Sequence, residues 1–427
     1  MANMRDNAGR PVVVVTGGGL VTSLGAGKED NWRRLTAGES GIRTITRFGV
    51  DSLKTRVAGT VDFVALEGGY SAPALSERLA ELAAEEAVAQ SGLGPRGHFP
   101  GPLFLAVSPI EIDWPRRELL ADGSGTNGTV GYDDLLRAAA TGRYQPFHTR
   151  FQFASVADAL ADKFGTEGSP ISLSTACASG ASAIQLGLEA IRRGETDRAL
   201  CVATEGSVNA ESLIRFSLLS ALTVQNDPPE AAAKPFSKNR DGFVMAEGAG
   251  ALVLESYEAA TARGARILGV LAGCGELADS FHRTRSSPNG QPIIGTIRNA
   301  IADAGLEPDD IDYINAHGTA TPENDKMECM CLSAVLGERA KTVPISSNKS
   351  MIGHTISAAG AIEAVISLMT LEHQRIPPTI NYQVPDPAIP FDVVPNVARD
   401  ATIRNVISNS FGFGGQNVSL VITAEPA

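Results

Sequence analysis

Cys177 lies in the run Ser174-Thr175-Ala176-Cys177-Ala178-Ser179-Gly180, just ahead of a long apolar-periodic stretch that reads as a helix. The first turn of a helix offers unpaired N–H groups and the positive end of the macrodipole, which favour thiolate over thiol, so this sulfur is a candidate nucleophile. Its small neighbours would let a carbonyl approach; taken alone, the cysteine reads first as a small buried apolar residue. His317 occurs in Asn315-Ala316-His317-Gly318-Thr319-Ala320-Thr321-Pro322, after a predicted strand. Lys349 and His354 occur in Ser347-Asn348-Lys349-Ser350-Met351-Ile352-Gly353-His354, between a predicted strand and an alanine-rich helix. Open α/β sheets place ligands at such strand ends, although either histidine in isolation suits a structural role. A fourth loop, Ser410-Phe411-Gly412-Phe413-Gly414-Gly415-Gln416-Asn417, separates the last two predicted strands. Its glycines imply close approaches that side chains would forbid, and they free backbone N–H groups; Phe411 and Phe413 read as core aromatics. Asp325 and Glu328 fall at a predicted helix start, where they suit capping or support of the reactive groups. No GxxxxGK[ST] or GxGxxG opens a helix, which excludes a phosphate loop.

The elements that must position these groups alternate between short β-branched runs and alanine-rich amphipathic segments. In the first half the pattern predicts strands at 12–16, 103–107, 171–174, 198–204 and 250–256, with helices at 76–91, 156–163 and 178–193. The second half repeats it, with strands at 267–274, 311–315, 343–346, 405–409 and 417–423 and helices at 295–304, 325–336 and 358–372. This is an α/β signature, and two similar halves, 1–260 and 261–427, fit it better than a solenoid or propeller. With no low-complexity linker, the halves are expected to share one packed body.

Composition narrows the function. At 427 residues, 43% hydrophobic and 20% charged, the chain reads as a soluble globular protein. Apolar runs such as 11–15 and 249–254 are too short to span a bilayer, and residues 1–10 lack a secretory core, so a cytoplasmic location is expected. The five cysteines form no CxxC pair and argue against a disulfide framework, and Cys329-x-Cys331 reads as helix packing; no metal or cofactor is expected. A net charge of −12 disfavours nucleic acid and anionic membrane as partners.

The TACASG, NAHGTATPENDKME, SNKSMIGH and NSFGFGGQN segments, with Asp241 to Gly250 as DGFVMAEGAG, resemble those of β-ketoacyl-acyl-carrier-protein synthases of elongating types I and II. The likeness runs from about Val12 to Thr423. It implies a thiolase-like fold, five alternating αβαβα layers from two duplicated α/β halves, assembled as a homodimer. It also implies decarboxylative Claisen condensation of an acyl chain with malonyl-carrier protein, giving 3-oxoacyl-carrier protein in fatty acid elongation. Cys177 would take the acyl group from acyl-carrier protein, with the N–H groups of Cys177 and Phe413 as oxyanion hole. His317 and His354 would hydrogen-bond the malonyl thioester oxygen as neutral imidazoles. Lys349 would order the two histidines or pair with Glu328, Asp325 and Glu328 would stand behind the site, and Phe413 would gate the acyl pocket beside Phe411.

Several residues depart from the family pattern. Val107 to Pro115 (VSPIEIDWP) replaces a glycine-rich stretch that lines the acyl pocket, Asn348 replaces a threonine, Ala246 a glycine, and Gln225 an arginine associated with carrier docking. Residues 352–357 diverge around the second histidine. These leave every chemical group in place and point to a specialised acyl or carrier preference. A specialised ketosynthase of very-long-chain lipid, nodulation-factor or polyketide synthesis would share the same groups. A noncatalytic chain-length-factor-like subunit would typically have lost Cys177. Thiolases use a second cysteine, and type III synthases Cys-His-Asn, where this chain has His354.

Overall fold

The computed structural model describes residues 4–93, 97–123 and 130–425. The first half builds five strands in the spatial order Ile171–Leu173, Leu103–Val107, Arg198–Glu205, Gly248–Ser256, Val13–Thr22. The second half repeats this order with Ile345–Ser346, Tyr313–Asn315, Asn405–Phe411, Gln416–Thr423 and Gly269–Ala278. Within each, the first three strands run parallel and the fourth and fifth pair antiparallel. The halves join where their opening strands meet, Val14 opposite Val270 and Val15 opposite Gly269.

Helices Ser179–Arg192 and Ala359–His373 lie between the two sheets and against each other. Ala72–Ser91 and Ser155–Phe164 cover the outer face of the first sheet, and Gln291–Asp303 that of the second, completing the five-layered thiolase-like α/β architecture. The middle layer explains the composition of Ala359–His373: every residue from Ala359 to Leu371 is buried, so the helix is apolar all round except where Glu363, Ser367 and Thr370 find partners. Each large apolar side chain buried there contributes about 1.5–3 kcal/mol.

The two central helices touch through glycine at their first turns. A Cβ on Gly180 would stand 2.6 Å from the Ala361 backbone nitrogen, and one on Gly360 2.5 Å from that of Ala181. This close approach brings together the two loops that precede the helices, and those loops carry Cys177 and His354. The structure also forms helices Trp114–Asp122, Tyr132–Ala140 and Gln145–Arg150, for which the sequence pattern gave no signal.

Candidate active site

Cys177, His317 and His354 converge: their sulfur and ring nitrogens lie within 4.8 Å of one another, and all three residues are buried. His354 Nε2 is 3.1 Å from Cys177 Sγ. The His317 and His354 rings meet edge to face with centroids 5.3 Å apart. All three groups follow the C-terminal ends of parallel strands and line one cavity of about 510 Å³ with Phe216, Phe243 and Phe413.

Cys177 sits outside its helix, in the tight turn before Ser179–Arg192, with Ala176 at φ 51°. That left-handed conformation costs a non-glycine residue about 1–2 kcal/mol. Two hydrogen bonds hold the turn: Ser179 Oγ accepts from the Thr175 N–H at 2.7 Å and donates to the Ala176 carbonyl at 2.6 Å. The backbone N–H groups of Phe413 and Cys177 both point at the sulfur. The helix start was expected to favour thiolate. Instead burial dominates and pushes the thiol up to about 11, against the opposing pull of the Phe413 N–H and the Lys349 charge.

Burial, with the positive charge of Lys349 next in weight, holds both histidines well below the usual imidazole range. They are therefore neutral near pH 7, as the donor role requires. The His354 backbone is pinned by donating to the Val244 carbonyl at 2.7 Å and accepting from the Ala246 N–H at 2.9 Å. Thus the DGFVMAEGAG segment of the first half fixes a histidine of the second.

The expected pairing of Lys349 with Glu328 does not form. Lys349 Nζ donates to Glu363 in the middle of Ala359–His373. Glu328 accepts instead from the N–H groups of His317 at 2.9 Å and Gly318 at 2.8 Å, and from Asn409 Nδ2 at 3.3 Å, while burial raises its carboxyl to about 7. The side-chain cap of helix Pro322–Leu336 is Thr321, which accepts from the Asn324 N–H, while Asp325 lies in the acidic first turn. Asp325 braces the loops, accepting from the N–H of Phe236 at 2.8 Å and of Ala320 at 3.2 Å. Phe411 packs against His317 with ring centroids 5.9 Å apart, and Phe413, part-buried, joins the apolar cluster around Cys177.

Sequence reasoning missed Glu363 and Phe243, and the cavity residues Thr319, Thr321, His282 and Arg285. The two threonines lay inside a quoted motif; His282 and Arg285 lie in a loop that no periodic segment announces. Gln225 is held by the Asn239 carbonyl and Lys234, and Ser108, at the start of the departing segment, bonds Glu205 and Ser357. Among the described residues, no helix is long and apolar enough to cross a membrane.

The domain models of β-ketoacyl synthase match this chain in order, the N-terminal domain over residues 10–260 and the C-terminal domain over 268–383. The ketoacyl synthase alpha subunit of tetracenomycin polyketide synthase from Streptomyces glaucescens is 36% identical over 425 residues, 96% of each chain. The 3-oxoacyl-[acyl-carrier-protein] synthase 2 of Coxiella burnetii is 36% identical, covering 96% of this chain and 98% of its own. Among solved structures, a type II PKS ketosynthase bound to the hexaketide and in complex with its acyl-carrier protein (AntDE:AntF) superposes with a TM-score of 0.86 at 34% identity, covering 97% of this chain and 100% of that one. A β-ketoacyl synthase from Burkholderia phymatum gives 0.83 at 30%, with the same coverage. A cysteine and two histidines gathered by a duplicated α/β fold, with both domain models matched in order, place this chain in the β-ketoacyl synthase family of acyl-transferring enzymes.

Proposed function

We propose that the chain condenses an acyl group held as a thioester on Cys177 with a malonyl group on acyl-carrier protein, releasing carbon dioxide and 3-oxoacyl-carrier protein, as in fatty acid elongation. The observation that carries this reading is the 3.1 Å approach of His354 Nε2 to Cys177 Sγ, with His317 beside it. In acylation the sulfur attacks the acyl carbonyl, the Cys177 and Phe413 N–H groups stabilise the oxyanion, and the carrier thiol leaves with the proton. The neutral His317 and His354 donate to the malonyl thioester oxygen, so the bond to the carboxylate breaks into a stabilised enolate. Its carbon attacks the acyl carbonyl, and the Cys177 thiolate leaves and takes up a proton. Burial, with the charge of Lys349 second, keeps the imidazoles neutral, and the Phe413 ring gates the acyl pocket.

In this reading residues 1–260 form the half that carries the nucleophile and 261–427 the half that carries the histidines. The chain works as a homodimer, for which the exposed edge strand Ile171–Leu173 offers an unpaired ladder. Its five free cysteines suit the reducing cytoplasm. The test is incubation with acyl-carrier thioester followed by malonyl-carrier protein: an acyl mass on the Cys177 peptide, then a product two carbons longer, is expected. An acyl mass on another cysteine, or none, rejects it. The polyketide relatives and the Val107 to Pro115 departure favour a specialised ketosynthase as the second reading. A ladder of acyl primers decides between them, because an ordinary medium-to-long profile excludes specialisation.

A further inference from the structure

We infer that Cys177, His317 and His354 also form a binding site for a zinc-like divalent cation, and that occupancy reversibly silences the thiol. The three ligating atoms lie within 4.8 Å of one another, and the Sγ to His354 Nε2 separation is 3.1 Å. Zinc held at about 2.3 Å from sulfur and 2.0–2.1 Å from nitrogen sets tetrahedral ligand pairs roughly 3.3–3.6 Å apart, so shifts of about 1 Å close the set around one ion. One thiolate and two imidazoles are the donor types that select zinc over magnesium or calcium, and three protein ligands leave a fourth position open towards the cavity. That cavity, about 510 Å³ and lined by all three residues, admits a hydrated ion.

The surroundings tolerate the charge. Each imidazole can present a ring-nitrogen lone pair to the cation, and the buried ammonium of Lys349 is bonded to Glu363. The exchange balances: the Cys177 S–H gives one proton to solvent as the Zn–S bond forms, while each imidazole donates its lone pair with no proton lost. With its electron pair in that bond, the sulfur does not attack a thioester. Zinc is therefore a reversible inhibitor that competes with the acyl donor. The inference rests on three side chains and not on the condensation chemistry, so zinc binding without an acyl-enzyme would overturn only the proposed function.

The test titrates the full chain with Zn²⁺ against a chromophoric chelator in weak buffer. One zinc bound and one proton released per chain are expected, with Cys177 protected from iodoacetamide and the protection reversed by EDTA. Cobalt(II) should give a sulfur-to-metal charge-transfer band that Cys177→Ala abolishes. Cys177→Ala and His317→Ala, checked for folding by circular dichroism, should weaken zinc binding by about 100-fold, and Cys274→Ser should leave it unchanged. Unaltered zinc affinity in Cys177→Ala, an undiminished alkylation rate of the unmodified chain at saturating zinc, or equally tight magnesium binding would each overturn the proposal.

Discussion

The two halves present their reactive groups from the same topological place by different means. In each, the group lies between the edge strand and the central helix: Cys177 between Ile171–Leu173 and Ser179–Arg192, Lys349 and His354 between Ile345–Ser346 and Ala359–His373. The first half spends few residues there and accepts a left-handed Ala176, which aims the Cys177 N–H at its own sulfur. The second half spends more. It inserts the short helix Lys349–Ile352 and turns at Gly353 with φ 82°, and its histidine backbone is held by Val244 and Ala246 of the other half. A tight strained turn suits a nucleophile that must sit in its own oxyanion hole. A longer braced loop suits a donor whose ring must stay neutral and fixed.

The sharpest way to break this division is to remove the nucleophile. Cys177→Ala should abolish acyl-enzyme formation and condensation while leaving the melting temperature within a few degrees, because only one sulfur is lost from a site already lined by apolar rings. Mass spectrometry and thermal unfolding check both halves of that statement, and residual turnover would end the nucleophile assignment. Next in size, His317→Ala or His354→Ala should each slow malonyl decarboxylation by about 10²–10⁴-fold, read as carbon dioxide release. Of the two imidazoles, His354 approaches the sulfur to 3.1 Å, so His354→Ala should also slow acylation of Cys177, whereas His317→Ala should spare it. Equal acylation defects would erase the distinction between the two imidazoles.

A smaller effect probes the contact that makes the two loops meet. Gly360→Ala forces a Cβ to 2.5 Å from the Ala181 nitrogen, so the helices must part or shift. Overpacking of this kind costs about 1–3 kcal/mol, and the parting should lower condensation more than decarboxylation, because it separates sulfur from imidazole. A variant with wild-type stability and rates would show that the helix contact does not set the site.

Much of this was legible because the fold's periodicities are strong. The predicted strand at 103–107 matches Leu103–Val107, and helices such as Ser179–Arg192 fall within a residue of expectation, since both faces or one long stripe of each element are apolar. Trp114–Asp122 escaped for the opposite reason: none of its residues is buried, and Tyr132–Ala140 buries only Ala138, so neither carries a core-facing stripe. The partner of Lys349 was illegible because Glu328 and Glu363 are both buried carboxylates on helices of the second half. Only the packing of Ala359–His373 between the sheets brings Glu363 to the ammonium. The site histidines were legible from loop position, whereas the ionisation of the thiol was not, since sequence shows the helix start but not the depth of burial.

That last point gives the finest test of the comparison. Burial disfavours the charged thiolate and raises Cys177 to about 11, above the ordinary thiol range, so near neutral pH the sulfur is protonated and attacks a thioester as its proton passes to the departing carrier thiol. The rate of Cys177 alkylation by iodoacetamide should therefore keep climbing about tenfold per pH unit through pH 9 and 10 before it levels. His354→Ala should leave that slope in place, because the neutral imidazole does not set the thiol's ionisation. A plateau below pH 8.5 would mean that the helix end and the oxyanion N–H groups of Cys177 and Phe413 outweigh burial.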